Sequence, residues 1–198
     1  MPSFLPKQLC IPALLLAMAA ACSPGPPNRA ADTTAAPPAT PPAAAAHDMA
    51  GMSMTGDADH DFLRMMSSHH KGLISLAHES MLKGSRGTPQ SQEDAQILDA
   101  RQDREFEQMI SMLQAHFHDS TQPAVTPDDQ ATLDSVLRIP GADYAPAFYR
   151  TVVSQHRLAV TMIDDYLPRA GQPDIKALAE RMLQEHLAEI KQFERKAK

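Results

Sequence analysis

Apolar residues recur at the three-and-four spacing of an amphipathic helix in four stretches of this chain, all beyond residue 57. In the first, Phe62, Met66, Leu73 and Ala77 fall on one stripe at about 100° per residue, and His69 and His70 flank it one turn after Met66. This stretch predicts a helix over 59–83 that ends near Gly84 and Gly87, with Pro89 as a stop. A second helix is expected over 91–118, opened by Ser91 as a cap and by Glu93 and Asp94 in its first turn. Its apolar face is Leu98, Phe106, Met109, Leu113 and Phe117, but Gln102 and His116 lie inside the same arc and Glu105 and Met112 on its edge. A third helix over 144–167 is broken by Pro168 and Gly171. The fourth starts near Pro173 and runs to the end, with Ile175, Leu178, Met182, His186, Ile190 and Phe193 as its stripe.

The links between these helices set their arrangement. Only a few residues join the first helix to the second and the third to the fourth, so each pair should be an antiparallel hairpin. The connector over 119–141 is too long for a turn. Thr126 reads as an N-cap with Pro127 in the first helical position, and a short helix to Leu137 is expected before Pro140 and Gly141 end it. The two hairpins also resemble each other. Phe62, Arg64, Ser68 and His70 recur 86 residues later as Phe148, Arg150, Ser154 and His156, and Glu105 recurs 84 residues later as Glu189. One hairpin alone could not cover its apolar face, so the chain over 57–198 is expected to fold as an all-α four-helix bundle made of two repeated hairpins, 57–118 and 142–198.

The motif Phe62-x-x-x-Met66-x-x-His69-His70-x-Gly72-x-Ile74-x-x-Ala77, followed by Gln102-x-x-Glu105-Phe106-x-x-Met109, resembles the bacterial family called domain of unknown function 305, of the ferritin-like superfamily. The resemblance spans about 57–198. It implies a ferritin-like bundle and kinship with exported copper-binding proteins of the copper-resistance type. A family site on the first hairpin would fall on Met66, His69, His70, Gln102, Glu105 and Met109. In the second hairpin Val152 stands in place of Met66, Gln155 in place of His69 and His186 in place of Gln102, so a symmetric second site is not implied.

Composition changes the picture most at the amino end. Residues 1–21 read as an export signal, with Lys7 before an apolar run and Ala19, Ala20 and Ala21 before Cys22. The pattern resembles a bacterial lipoprotein signal, in which Cys22 would carry the lipid; the alternative is an ordinary secretory signal. Residues 22–46 are almost entirely Pro, Ala, Thr and Gly, a semi-rigid tether. Residues 47–56 then place His47, Met49, Met52 and Met54 in a polar, Gly-containing segment. Such segments resemble the Met-rich motifs of exported copper-handling proteins, whose thioethers bind Cu(I), although a linker with chance methionines has the same composition. With Cys10 removed in the signal, a chain beginning at Cys22 has no second cysteine, which excludes disulfides and Cys-based zinc sites. Loss of Lys7 moves the net charge from −6 to −7, a poor balance for nucleic acid.

Several enzyme classes are disfavoured. A di-iron oxidase needs Glu-x-x-His on two helices, and no Glu here has a His three residues later; His186-x-x-Glu189 has the reverse order. There is no His-Glu-x-x-His, phosphate loop or nucleophile elbow. The reading these features favour is a non-enzymatic, cell-envelope protein, on the periplasmic side and lipid-anchored, that chelates Cu(I), and also Cu(II) or silver, for resistance or for delivery to a copper-transfer partner. The candidate ligands are Met66, His69, His70, Met109, Met112 and His116, with His47, Met49, Met52 and Met54 as a mobile accessory set. Gln102, Glu105, His156, His186 and Glu189 are expected to form the surrounding network. The competing reading is a metal-free interaction bundle whose buried His, Gln and Glu bond to one another.

Overall fold

A computed structural model describes residues 53–82 and 87–198. Among these residues the regular structure is helical: α1 (Ala58–Met81), α2 (Pro89–Phe117), α3 (Pro127–Leu137), α4 (Tyr144–Tyr166) and α5 (Pro173–Glu194), with short 3-10 turns at Gly141–Asp143 and Leu167–Arg169. The two hairpins are α1 with α2 and α4 with α5; α1 also packs on α4, and α3 crosses over both.

Local chemistry sets the ends. Asp57 caps α1 by accepting from the backbone N–H groups of Asp59 and His60, each at 3.0 Å. The α2 helix begins two residues before the predicted start, because Thr88, rather than Ser91, is the cap: its hydroxyl accepts from Ser91 N–H at 3.1 Å, and Pro89 fits the first helical position. Thr126 caps α3 as expected, through Asp129 N–H at 3.1 Å. His118 ends α2 in the left-handed conformation, φ 52°, with its N–H on Gln114 O. The predicted stop at Gly84 lies outside the described residues; α1 gives way to extended backbone at Leu82.

The apolar core falls into two clusters. One gathers Leu73, Leu98, Phe148, Val152, Ile190 and Phe193 with the α3 residues Leu133 and Val136; the other gathers Phe62, Met66, Met109, Leu113, Ile163, Ile175 and Met182. On each long helix the two clusters are separated along the chain by polar residues: His70 on α1, Gln102 and Glu105 on α2, His156 on α4, and His186 and Glu189 on α5. All six are buried. The bundle therefore carries a polar layer between two apolar ones.

Two further features hold the helices in register. Asp59 at the start of α1 accepts from Tyr166 O–H at 2.5 Å, from Gly171 N–H at 3.0 Å and from Gln172 N–H at 2.8 Å, tying α1 to the α4–α5 link. Gly72 lets α3 close on α1, since a Cβ there would lie 2.7 Å from Asp129 Cβ.

Candidate metal centre

The polar layer is organised by two equivalent pairs. In the first hairpin, His70 Nδ1 donates to the Met66 carbonyl at 2.9 Å and Nε2 meets Glu105 Oε2 at 2.8 Å. In the second, His156 Nδ1 donates to the Val152 carbonyl at 2.9 Å and Nε2 meets Glu189 Oε2 at 2.5 Å. A carbonyl can only accept, so each Nδ1 carries a proton and each Nε2 faces the layer. This is the arrangement by which a backbone carbonyl orients a histidine for work at its other nitrogen.

His186 lies between the pairs. Its ring centroid is 4.7 Å from that of His156 and 5.7 Å from that of His70. It is 2% exposed, and its Nδ1 is buried with no hydrogen-bond partner. Burial, and then the neighbouring His156, His70 and His69, hold its imidazole well below the usual histidine range, so it is neutral at physiological pH. The position matching His186 in the first hairpin is Gln102, whose Oε1 is likewise buried and unpartnered.

The ligand-capable atoms of His70, Glu105 and His186 lie within 4.8 Å of one another, and so do those of His156, His186 and Glu189. The two groups share His186. Burial pushes the Glu105 carboxyl up, but the hydrogen bond and charge of His70 outweigh it and hold the group below its usual value. Glu189 behaves alike, with His156 and Arg101 overcoming its burial; Arg101 Nη1 donates to Glu189 Oε1 at 2.7 Å. The neighbouring Glu105, and then burial, raise the Glu185 carboxyl. Above Glu105 and Glu189, a cleft of about 430 Å³ opens between α2 and α5.

Of the predicted ligands, His70 is therefore gathered with Glu105, His156, His186 and Glu189, the residues the sequence places in the network. Met66 and Met109 are fully buried in the adjoining apolar cluster, and Met112 packs against it. His69 turns toward α3 and α4, with Nε2 donating to Gln155 O at 3.2 Å and Nδ1 lying 3.8 Å from Asp129 Oδ1. His116 pairs with Asp174 at 2.8 Å on a more open surface. Met54 is exposed, while Ser53 to Gly56 are tied to α1: Arg64 donates to Ser53 O, and Thr55 and Gly56 donate to Asp61. Cys22, His47, Met49 and Met52 lie outside the described residues. Sequence reasoning missed Arg101 and Glu185; their signal was adjacency on the helix to Gln102 and His186.

The arrangement offers three imidazoles and two carboxylates in two buried groups that share His186, a donor set suited to borderline divalent ions such as copper or zinc. An orphaned ring nitrogen in that set is what a metal ligand awaiting its ion would leave. No helix among the described residues is long and apolar enough to cross a membrane.

The family model described as domain of unknown function (DUF305) matches residues 59–197. Solved structures similar to the chain include CopM in the Cu(I)-bound form, 26% identical over 69% of this chain and 93% of its own, with a TM-score of 0.58. CopM in the Cu(II)-bound form is 22% identical over 70% and 95%, with a TM-score of 0.60. A DUF305 fragment from Deinococcus radiodurans is 19% identical over 69% and 93%, also at 0.60. Among curated proteins none matches.

Proposed function

Since the chain belongs to the DUF305 family, we propose that it is a copper-binding protein of the cell envelope whose buried centre is His70, Glu105, His156, His186 and Glu189. The observation that carries this reading is the unpartnered Nδ1 of His186, 2% exposed, between two carbonyl-oriented histidines. Leaving a buried polar atom unpaired costs about 1–3 kcal/mol, a cost a metal ligand recovers when its ion binds. The likeness to CopM, whose Cu(I)-bound form is among the similar structures, supports copper over zinc.

The chemistry divides by softness. Each His–Glu contact in the layer holds one proton, and a divalent ion would take the place of two such protons without changing the charge of the centre. Imidazoles and carboxylates suit Cu(II), while the thioethers of Met49, Met52 and Met54 suit Cu(I) and silver. The protein thus captures copper in either state, for resistance or delivery to a transfer partner, and does no enzymatic chemistry of its own. The export signal over 1–21, the lipid anchor at Cys22 and the tether over 22–46 place the bundle on the periplasmic side of a membrane in this reading.

The test is a pair of competition titrations against chromophoric chelators, Cu(II) in air and Cu(I) under anaerobic conditions. The wild-type chain is run beside His186→Leu and beside the triple change of Met49, Met52 and Met54 to Leu. His186→Leu is expected to weaken Cu(II) by at least about 100-fold and the triple variant to weaken Cu(I). Unchanged Cu(II) affinity in His186→Leu would remove the buried centre from the account.

One observation favours the metal-free reading: His70 and His156 each use both ring nitrogens in hydrogen bonds within the protein. In that reading none of the three proteins competes with the chelators for metal.

A further inference from the structure

The cleft between α2 and α5 carries chemistry that the buried centre does not use. Its volume, about 430 Å³, is in the range of small-ligand sites. Three guanidiniums line it: Arg101 and Arg104 from α2 and Arg181 from α5. The acidic groups facing them are Glu105, Glu185 and Glu189. Glu105 and Glu189 are engaged by His70 and His156, and Glu189 takes Arg101 as well. Glu185 lies beside Glu105, whose proximity raises its carboxyl. Arg181 is held at 2.6 Å by the neutral amide oxygen of Gln108, with Glu185 no nearer than 3.9 Å. Arg104 has no acidic partner among the described residues.

Two guanidiniums thus face one concave space, Arg104 without an acidic partner among the described residues and Arg181 bonded to a neutral amide with Glu185 only at the 3.9 Å edge of ion-pair distance, in a chain whose net charge is −6. Guanidinium forks presented by two helices to one cleft match the paired oxygens of carboxylate, phosphate and sulfate. We propose that this cleft binds a small oxyanion of that class between Arg104 and Arg181. The site stands independently of the metal reading, since none of its contacts needs an ion below.

The experiment is an NMR titration of the full chain, first with inorganic sulfate and then with inorganic phosphate, in a low-salt buffer free of other oxyanions. Saturable shifts of the Gln108 side-chain amide and of the Arg104 and Arg181 Nε–H signals are expected. Arg104→Gln with Arg181→Gln should weaken binding by at least about tenfold, and Arg138→Gln, on the exposed end of α3, should leave it within about twofold. Both cleft positions are exposed, so the double variant should melt with the wild type. Linear, non-saturating shifts with both anions, or equal weakening by Arg138→Gln, would overturn the site.

Discussion

Replacing His186 with Leu separates a metal centre from a structural network, because the two make opposite demands on the metal-free fold. In a network that holds the bundle together, His186 stabilises and its loss is destabilising. Here its Nδ1 makes no bond, Glu189 Oε2 stands 3.9 Å from it, and burial keeps the ring neutral among other histidines. Removing an unpartnered buried polar atom returns about 1–3 kcal/mol, and the imperfect fit of Leu in a packed site takes back up to about 1.5 kcal/mol. The metal-free variant should therefore be about 1 kcal/mol more stable than wild type, or some 2–4 °C higher in melting temperature for a domain of this size. Urea denaturation with a chelator present measures the first quantity. Repeating it with free Cu(II) at about 100 times the wild-type dissociation constant should stabilise wild type by about 2.7 kcal/mol and the variant by no more than about 0.4 kcal/mol. A metal-free loss greater than about 1 kcal/mol in His186→Leu would refute the reasoning, for it would mean that His186 supports the fold.

Other consequences are structural. Asp59→Ala leaves Tyr166 O–H and the N–H groups of Gly171 and Gln172 without their acceptor, and should cost about 3–5 kcal/mol in urea denaturation. Gly72→Ala drives a Cβ to 2.7 Å from Asp129 Cβ and should cost about 1–3 kcal/mol, with hydrogen exchange showing the loss concentrated in α3. The Asp119 carboxyl is held down to about 2, chiefly by its hydrogen bond with Thr121, with His60 and Arg64 assisting. A depressed carboxyl stabilises above its ordinary value of 3.8 and loses that contribution as pH falls toward 2. Asp119→Asn should thus cost on the order of 1 kcal/mol at pH 6, after allowance for solvent screening, and only a small fraction of that at pH 2, by denaturation at the two pH values.

Much of this architecture was legible because it rests on local rules. Helical spacing of Phe62, Met66 and Leu73, Thr126 with Pro127, and Pro173 each act over a few residues, and the structure places helices there. The start of α2 is ambiguous in sequence because Thr88 and Ser91 are both good caps, and only Pro89 in the first turn decides between them. The site was harder to read. His69 and His70 are adjacent, yet successive helical positions differ by about 100°, and this sends one ring to α3 and α4 and the other into the polar layer. Which histidine meets which carboxylate depends on how two hairpins pack, information that no single helix carries. The recurrence of His70 and Glu105, 35 residues apart, as His156 and Glu189, 33 apart, was the visible trace of that packing. His186 could be placed on a buried stripe, but its unpaired nitrogen could not be seen without its neighbours.

The most direct test of the central claim is the position of copper itself, from anomalous diffraction at the copper edge on crystals of the Cu(II)-loaded protein. One strong peak is expected within bonding distance of the His186 ring, among His70, His156, Glu105 and Glu189. A peak only at surface positions such as His116 and Asp174, or none in the polar layer of a protein that binds copper in solution, would contradict it.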